Sequence, residues 1–208
     1  MSTKRLFALM LWSATVAATG AIAGVANPPF GAEGPSAATQ GDAEEDATRL
    51  VLEQFRSTHV ALSQAIAIAE HLHNGSKTAD ISFEISGPPV YRVRTVKNEN
   101  VWENVIDAKT GSIAGREIAS SLKELDRGDL ANIIALKWIK QELSDAVRVA
   151  EKAAAGSALA GGLMRQDGKL NFLIVIASGE RLKEVMLEPP KSESESPLAT
   201  NSKRPSMN

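Results

Sequence analysis

A chain of 208 residues, 43% of them hydrophobic, can bury one or two small cores but not the body of a large enzyme. Its formal net charge of −2 gives no basic excess for nucleic acid. The absence of cysteine excludes disulfides, thiolate metal sites and a cysteine nucleophile.

The first segment addresses the chain for export. Lys4 and Arg5 precede an apolar stretch that starts at Leu6 and thins into Ala, Thr and Gly by Gly24. Gly24-Val25-Ala26 places small residues before Asn27, so residues 1–26 read as a signal peptide and the mature chain as periplasmic or secreted. Ala21-Ile22-Ala23 is a second cleavage sequence. Retained, Leu6–Ala26 is just long enough to span a bilayer, which would tie the protein to a membrane. Cleavage takes the net charge from −2 to −4, because only Lys4 and Arg5 are lost. Residues 27–42, rich in Pro, Gly, Ala and Ser, read as a flexible linker. Residues 189–208, with Pro breaks and alternating Ser and Glu, read as a disordered tail.

Between them lies an internal repeat. A shift of 81 places Leu62 on Leu143, Ser63 on Ser144, Ala65 on Ala146 and Ala69-Glu70 on Ala150-Glu151. Gly75-Ser76 falls on Gly156-Ser157, Tyr91 on Phe172, Val93 on Ile174 and Ile106 on Leu187, without a gap. Each copy starts with a helical stripe, Leu62, Ala65, Ile66, Ala69 and Leu72 or Leu143, Ala146, Val147 and Ala150. Gly75 and Gly156 read as helix stops. Alternation then predicts strands around Ile81–Ile85, Tyr91–Arg94 and Val101–Ile106. The second copy predicts Leu159–Gln166, Asn171–Ser178 and Leu182–Leu187, with Asp167-Gly168 as a hairpin turn. A further helix is expected before each copy, over Arg49–Arg56 and after Asp129 as N-cap. The expected fold is α+β: two tandem modules, residues 43–118 and 119–188, each a helix packed on a small antiparallel sheet of three to four strands.

These residues carry a likeness. Leu62-Ser-x-Ala65-Ile66-x-x-Ala69-Glu70, Val90-Tyr91-Arg-Val93 and Val105-Ile106-Asp107-Ala-Lys-Thr110-Gly111 resemble a PepSY domain. The first copy, about His59–Glu117, keeps the whole pattern. The second, about Trp138–Glu188, ends in Glu188-Pro189-Pro190 in place of the Thr-Gly turn. The resemblance implies non-catalytic modules found in exported proteins, protease propeptides and envelope regulators, with control of a peptidase as the associated role. It marks Tyr91, Asp107, Thr110 and Gly111 as the family motif.

Turn chemistry accounts for that motif without a ligand. An Asp carboxylate accepts from amides two and three residues on, and Gly tolerates positive φ. His71 and His73 form a His-x-His pair, but residues i and i+2 on a helix point apart, so no metal is expected. Glu70 and Glu151 read as solvated helix positions. No nucleophile, base and oxyanion donors assemble, no phosphate-binding loop follows a strand, and neither catalysis nor a cofactor is expected. Arg92 and Arg94 should lie with Glu84 and Glu103 on an outward sheet face, a candidate interaction surface. Phe172–Ala177 is apolar throughout and so needs cover on both faces. One cover is its own helix. The other is the helix around Trp138, the first module or a partner protein. The sequence thus points to an exported protein-binding module, a peptidase inhibitor or modulator acting on another envelope protein. The alternative is an envelope protein that binds a small ligand or a metal.

Overall fold

The computed structural model describes residues 38–166 and 168–190, with side chains from Glu44 onward. The expected signal segment, most of the linker, Asp167 of the hairpin turn and the tail beyond Pro190 lie outside the described residues.

The first helix, α1, spans Ala38–Arg56. Residues 38–42, assigned from sequence to the linker, therefore belong to a helix that is anchored downstream by burial of Val51, Leu52 and Phe55. Helix α2 (Leu62–Leu72) buries Leu62, Ala65, Ile66 and Ala69, whereas Leu72, expected on the same stripe, lies in the last turn and is 44% exposed. Its first turn is closed by Gln64, whose Oε1 accepts from the Ala61 amide at 2.8 Å. Three antiparallel strands follow: β1 (Lys77–Glu84), β2 (Val90–Lys97) and β3 (Asn100–Asp107). β1 begins four residues before Ile81, because a bulge between Thr78 and Asp80 extends it across a break in the alternation. A short edge strand, β4 (Ile118–Ser121), pairs with β3 and was not foreseen.

After a single 3₁₀ turn at Leu122–Glu124, α3 runs over Arg127–Leu136. Its N-cap is Asp126, not Asp129. Asp126 Oδ1 accepts from the Gly128 and Asp129 amides at 2.7 and 2.9 Å. Helix α4 (Leu143–Ala154) buries Leu143, Ala146, Val147 and Ala150. Strands β5 (Ser157–Gln166), β6 (Lys169–Ser178) and β7 (Arg181–Leu187) complete the chain.

The strands form one seven-stranded sheet in the order β4-β3-β2-β1-β5-β6-β7. Two separate small sheets, the sequence expectation, are not what the chain builds. β1 and β5 pair through Asp80–Gly162, Ile81–Gly161 and Ser82–Ala160. The physical reason is edge closure: two small sheets would leave four open edges, and joining them removes two. Glycine makes the junction fit. A Cβ on Gly162 would lie 2.9 Å from Asp80 Cβ, and one on Gly161 would lie 2.8 Å from Ile174 Cδ1.

Side chains alternate across the sheet, and each face has its cover. α2 and α4 lie next to each other on one face, over Ile81, Phe83, Tyr91, Val93, Ile106, Phe172, Ile174 and Ile176. Phe55 of α1 joins this core with its ring edge-on to Phe83, centroids 5.3 Å apart. On the other face α3 inserts Ile133 and Leu136 among Ala79, Val96, Val101 and Leu122. Full burial of each such aliphatic or aromatic side chain contributes roughly 1.5–3 kcal/mol. Phe172–Ile176 is buried at every position, as its composition requires. Trp138 takes no part in that burial and is 82% exposed.

The stop of α4 differs from expectation. Ala155, not Gly156, adopts the left-handed conformation, with φ of 50°. Gly156 is needed for space: a Cβ there would sit 2.3 Å from the Ala177 carbonyl oxygen. Gly156→Ala is expected to lower the unfolding free energy by about 1–3 kcal/mol in urea denaturation followed by circular dichroism. Gly87→Ala, where an added methyl meets nothing within 4 Å, should change it by less than about 0.5 kcal/mol. Equal effects at the two positions would remove close approach as the reason for Gly156.

Candidate functional site

The motif residues converge on the three residues that lead into α2. The Tyr91 hydroxyl, on β2, donates to the Val60 carbonyl at 2.8 Å. The Ala108 carbonyl, just past β3, accepts from the His59 and Val60 amides at 3.2 and 3.1 Å. Ala108 is placed by its own amide, which donates to Pro89 O at 3.0 Å, and by the Asp107 turn. In that turn Asp107 Oδ1 accepts from the Lys109 amide, the Thr110 amide and the Thr110 hydroxyl at 2.9, 2.7 and 3.0 Å. Those bonds to the ionised form, the Thr110 amide foremost, hold the carboxyl below its usual range. Gly111 has φ of +75°, and a Cβ there would press on Ile68 Cδ1 of α2 at 3.3 Å. Tyr91, Asp107, Thr110 and Gly111 are thus committed to fastening the helix to the sheet.

Among the described residues the second half shows no such fastening. Phe172, 81 residues after Tyr91, has no hydroxyl, and Pro189, 81 residues after Ala108, has no amide to donate. The chain leading into α4 is held differently, by Lys77 Nζ donating to the Ile139 carbonyl at 2.8 Å.

Glu70 and Glu151 were read as solvated and are not. Glu70 Oε1 accepts from the Thr78 amide and hydroxyl, both at 2.9 Å. Glu151 Oε1 accepts from the Ala158 amide at 2.9 Å. Each clasps the end of its helix to the first residues of the next strand. Burial raises the Glu70 pKa, against the lowering effect of the Thr78 bonds. The signal was present in the sequence as a glutamate recurring at the same 81-residue spacing as the helix stripe, but helical position alone could not show what it would meet.

The outward charged face exists, with a partner set wider than expected. Arg92 Nε and Nη2 donate to the two Glu84 carboxylate oxygens at 2.8 and 2.9 Å, and Nη1 donates to Glu103. Arg94 pairs instead with Asp80, at 2.6 Å from Nε, and with Asp129 of α3 at 2.7 Å. The bond to Glu84 leads in raising the Arg92 pKa. For Arg94, burial works against the charge, and Asp80 and Asp129 outweigh it. Burial raises the Asp80 pKa, opposed by Arg94. Four carboxylates share two guanidinium groups, so the face remains acidic.

His71 and His73 part as the helix geometry requires. His71 is exposed, whereas His73 stacks on Trp102 with centroids 3.9 Å apart and shares a 2.7 Å hydrogen bond with Glu117. Among the described residues no three His, Cys, Asp or Glu side chains are grouped to hold a metal ion. Nor is any described helix long and apolar enough to cross a membrane.

Residues 60–117 match the PepSY family, described as Peptidase propeptide and YPEB domain. The matched segment holds α2, β1 to β3 and the Asp107 turn, begins just after His59, and stops short of β4. No curated protein matches the chain. The solved structure of a Clostridium difficile 630 protein described as a lipoprotein is similar at 20% identity, over 65% of this chain and 90% of that one. Its TM-score is 0.39, a likeness too loose to carry an argument.

The fastening can be read directly, because the chain has a single tyrosine. Burial pushes the Tyr91 hydroxyl up to about 12. A group whose folded pKa is raised contributes stability that is intact below its unfolded value, about 10, and is lost as pH rises through 12. Phenolate absorbance should therefore titrate near 12 in the native chain and near 10 in urea. A native midpoint near 10 would show that the hydroxyl is not buried between the sheet and the chain leading into α2.

Proposed function

We propose that the chain is an exported, non-catalytic module that binds another envelope protein and restrains or modulates a peptidase. The carrying observation is the PepSY match at residues 60–117, read together with where its motif side chains go. Tyr91, Asp107 and Thr110 each spend their polar atoms on the chain's own backbone or neighbouring side chains, which suits a scaffold rather than a reaction centre. We further read the second half as a diverged copy of the first. The order helix, strand, strand, strand recurs there, and the buried quartets of α2 and α4 fall at matching positions.

Recognition in this reading uses the outer edge of β7, with the acidic Glu84–Glu103–Asp80–Asp129 face as a second contact. β7 ends the sheet and offers seven residues of backbone for strand addition, whereas β4 at the other edge offers four. Arg181, Lys183 and Glu184 are exposed on β7, and such charges disfavour pairing with a second identical edge.

Photo-crosslinking residues placed at Lys183 and Met186 of the exported chain should capture a peptidase in the native envelope. The same group at Val149, exposed on α4, should not. Purified chain should inhibit the captured enzyme. Capture that is equal at all three positions, or a captured peptidase whose activity does not change, would contradict the reading.

A further inference from the structure

The C-terminal end of α3 carries side chains that the fold does not employ. Beyond Leu136 the helical turn continues, as Lys137 N donates to Ile134 O, Trp138 N to Ala135 O and Ile139 N to Leu136 O at 3.3, 3.0 and 3.2 Å. Ile133 and Leu136 face inward, so Ile134 and Trp138, four residues apart, share the outward side. They are 46% and 82% exposed. Lys137 and Lys140 flank the indole, both exposed, and neither has an ion-pair partner among the described residues. The bond from Lys77 to Ile139 pins this segment at the end of the sheet where β1 starts. By the β1–β5 register, the end of β5 and the start of β6 lie at that same end, with Arg165 and Lys169 exposed there and the acidic Asp167 between them in sequence. Lys169 reaches Glu188 only at 4.0 Å, and the nearest carboxylate along the chain from Lys140 is Glu142, exposed at the start of α4.

An exposed indole beside unpaired lysines has a specific chemistry. An amphipathic ring is at home at a bilayer–water boundary, and cations near it gain from anionic headgroups. Two large apolar side chains are too few for a stable protein interface, which needs about 800 Å² from each partner. We propose that this end of the sheet docks on an anionic lipid surface. Trp138 and Ile134 enter the headgroup boundary, and Lys137, Lys140, Arg165 and Lys169 face the phosphates. The docking is independent of what β7 binds.

The chain recovered in soluble form after export is mixed with vesicles of phosphatidylglycerol and phosphatidylcholine, or of phosphatidylcholine alone, and sedimented. It should bind the anionic vesicles, less so as salt rises, with a blue shift of tryptophan emission. Trp138→Ala, and Lys137→Glu with Lys140→Glu, should each weaken binding by about tenfold or more, and Trp138→Ala should abolish the shift. Both variants change exposed residues, and unaltered circular dichroism would show that they fold. The proposal is overturned by no binding, by binding that ignores both variants, or by equal binding to phosphatidylcholine alone. It is also overturned if Trp138 drives only self-association, seen as a concentration-dependent mass that Trp138→Ala removes.

Discussion

The seam between β1 and β5 is the constraint on which the architecture depends. Three residue pairs join the strand set of one half to that of the other. Antiparallel backbones lie only about 4.8 Å apart, and bulk at a crowded position pushes them apart. Gly161 and Gly162 leave that space free, and the side chains that fill it come from Asp80 and Ile174. Once the seam is closed, β1 and β5 become interior strands and one core runs from Phe55 and Phe83 to Phe172 and Leu187. α2 and α4 then lie next to each other on a common floor.

Much of this was legible from sequence, and the failures have physical causes. The buried quartets of α2 and α4 were readable because a 3.6-residue stripe is local and strong. The Asp107 turn was readable because Asp, Thr and Gly each supply something that turn needs. The seam was not. Glycine in a strand pattern reads as weakness or a loop, and pairing between distant strands leaves no periodic trace. The N-cap of α3 was misplaced by three residues because Asp126 and Asp129 offer the same chemistry, and only backbone geometry separates them. Glu70 and Glu151 were misread for a related reason: what a helix glutamate meets depends on where the next strand begins.

The same distinction governs the candidate site. The face with Arg92, Arg94 and Glu103 was expected from alternation and is present. Asp80 and Asp129 joined it through a bulge and a helix docking that no alternation encodes. The PepSY motif proves to be a fastening: the Tyr91 hydroxyl holds the chain leading into α2, and Asp107 and Thr110 close the exposed turn that sets Ala108 in place. What the described residues offer outward is shape and charge: a strand edge at β7 that ends the sheet, an acidic face over β1 to β3, and the exposed Trp138 with Lys137 and Lys140 beside it.

Amide hydrogen exchange, resolved by residue in the native chain, tests the continuous sheet most directly. If β1 and β5 are interior strands, every amide over Asp80–Ser82 and Ala160–Gly162 should be protected, at a level comparable with Val93 and Ile174. If the two halves carry separate sheets, the amides of β1 and β5 that face each other will exchange rapidly in alternation while β2 and β6 stay protected. That pattern would contradict the account.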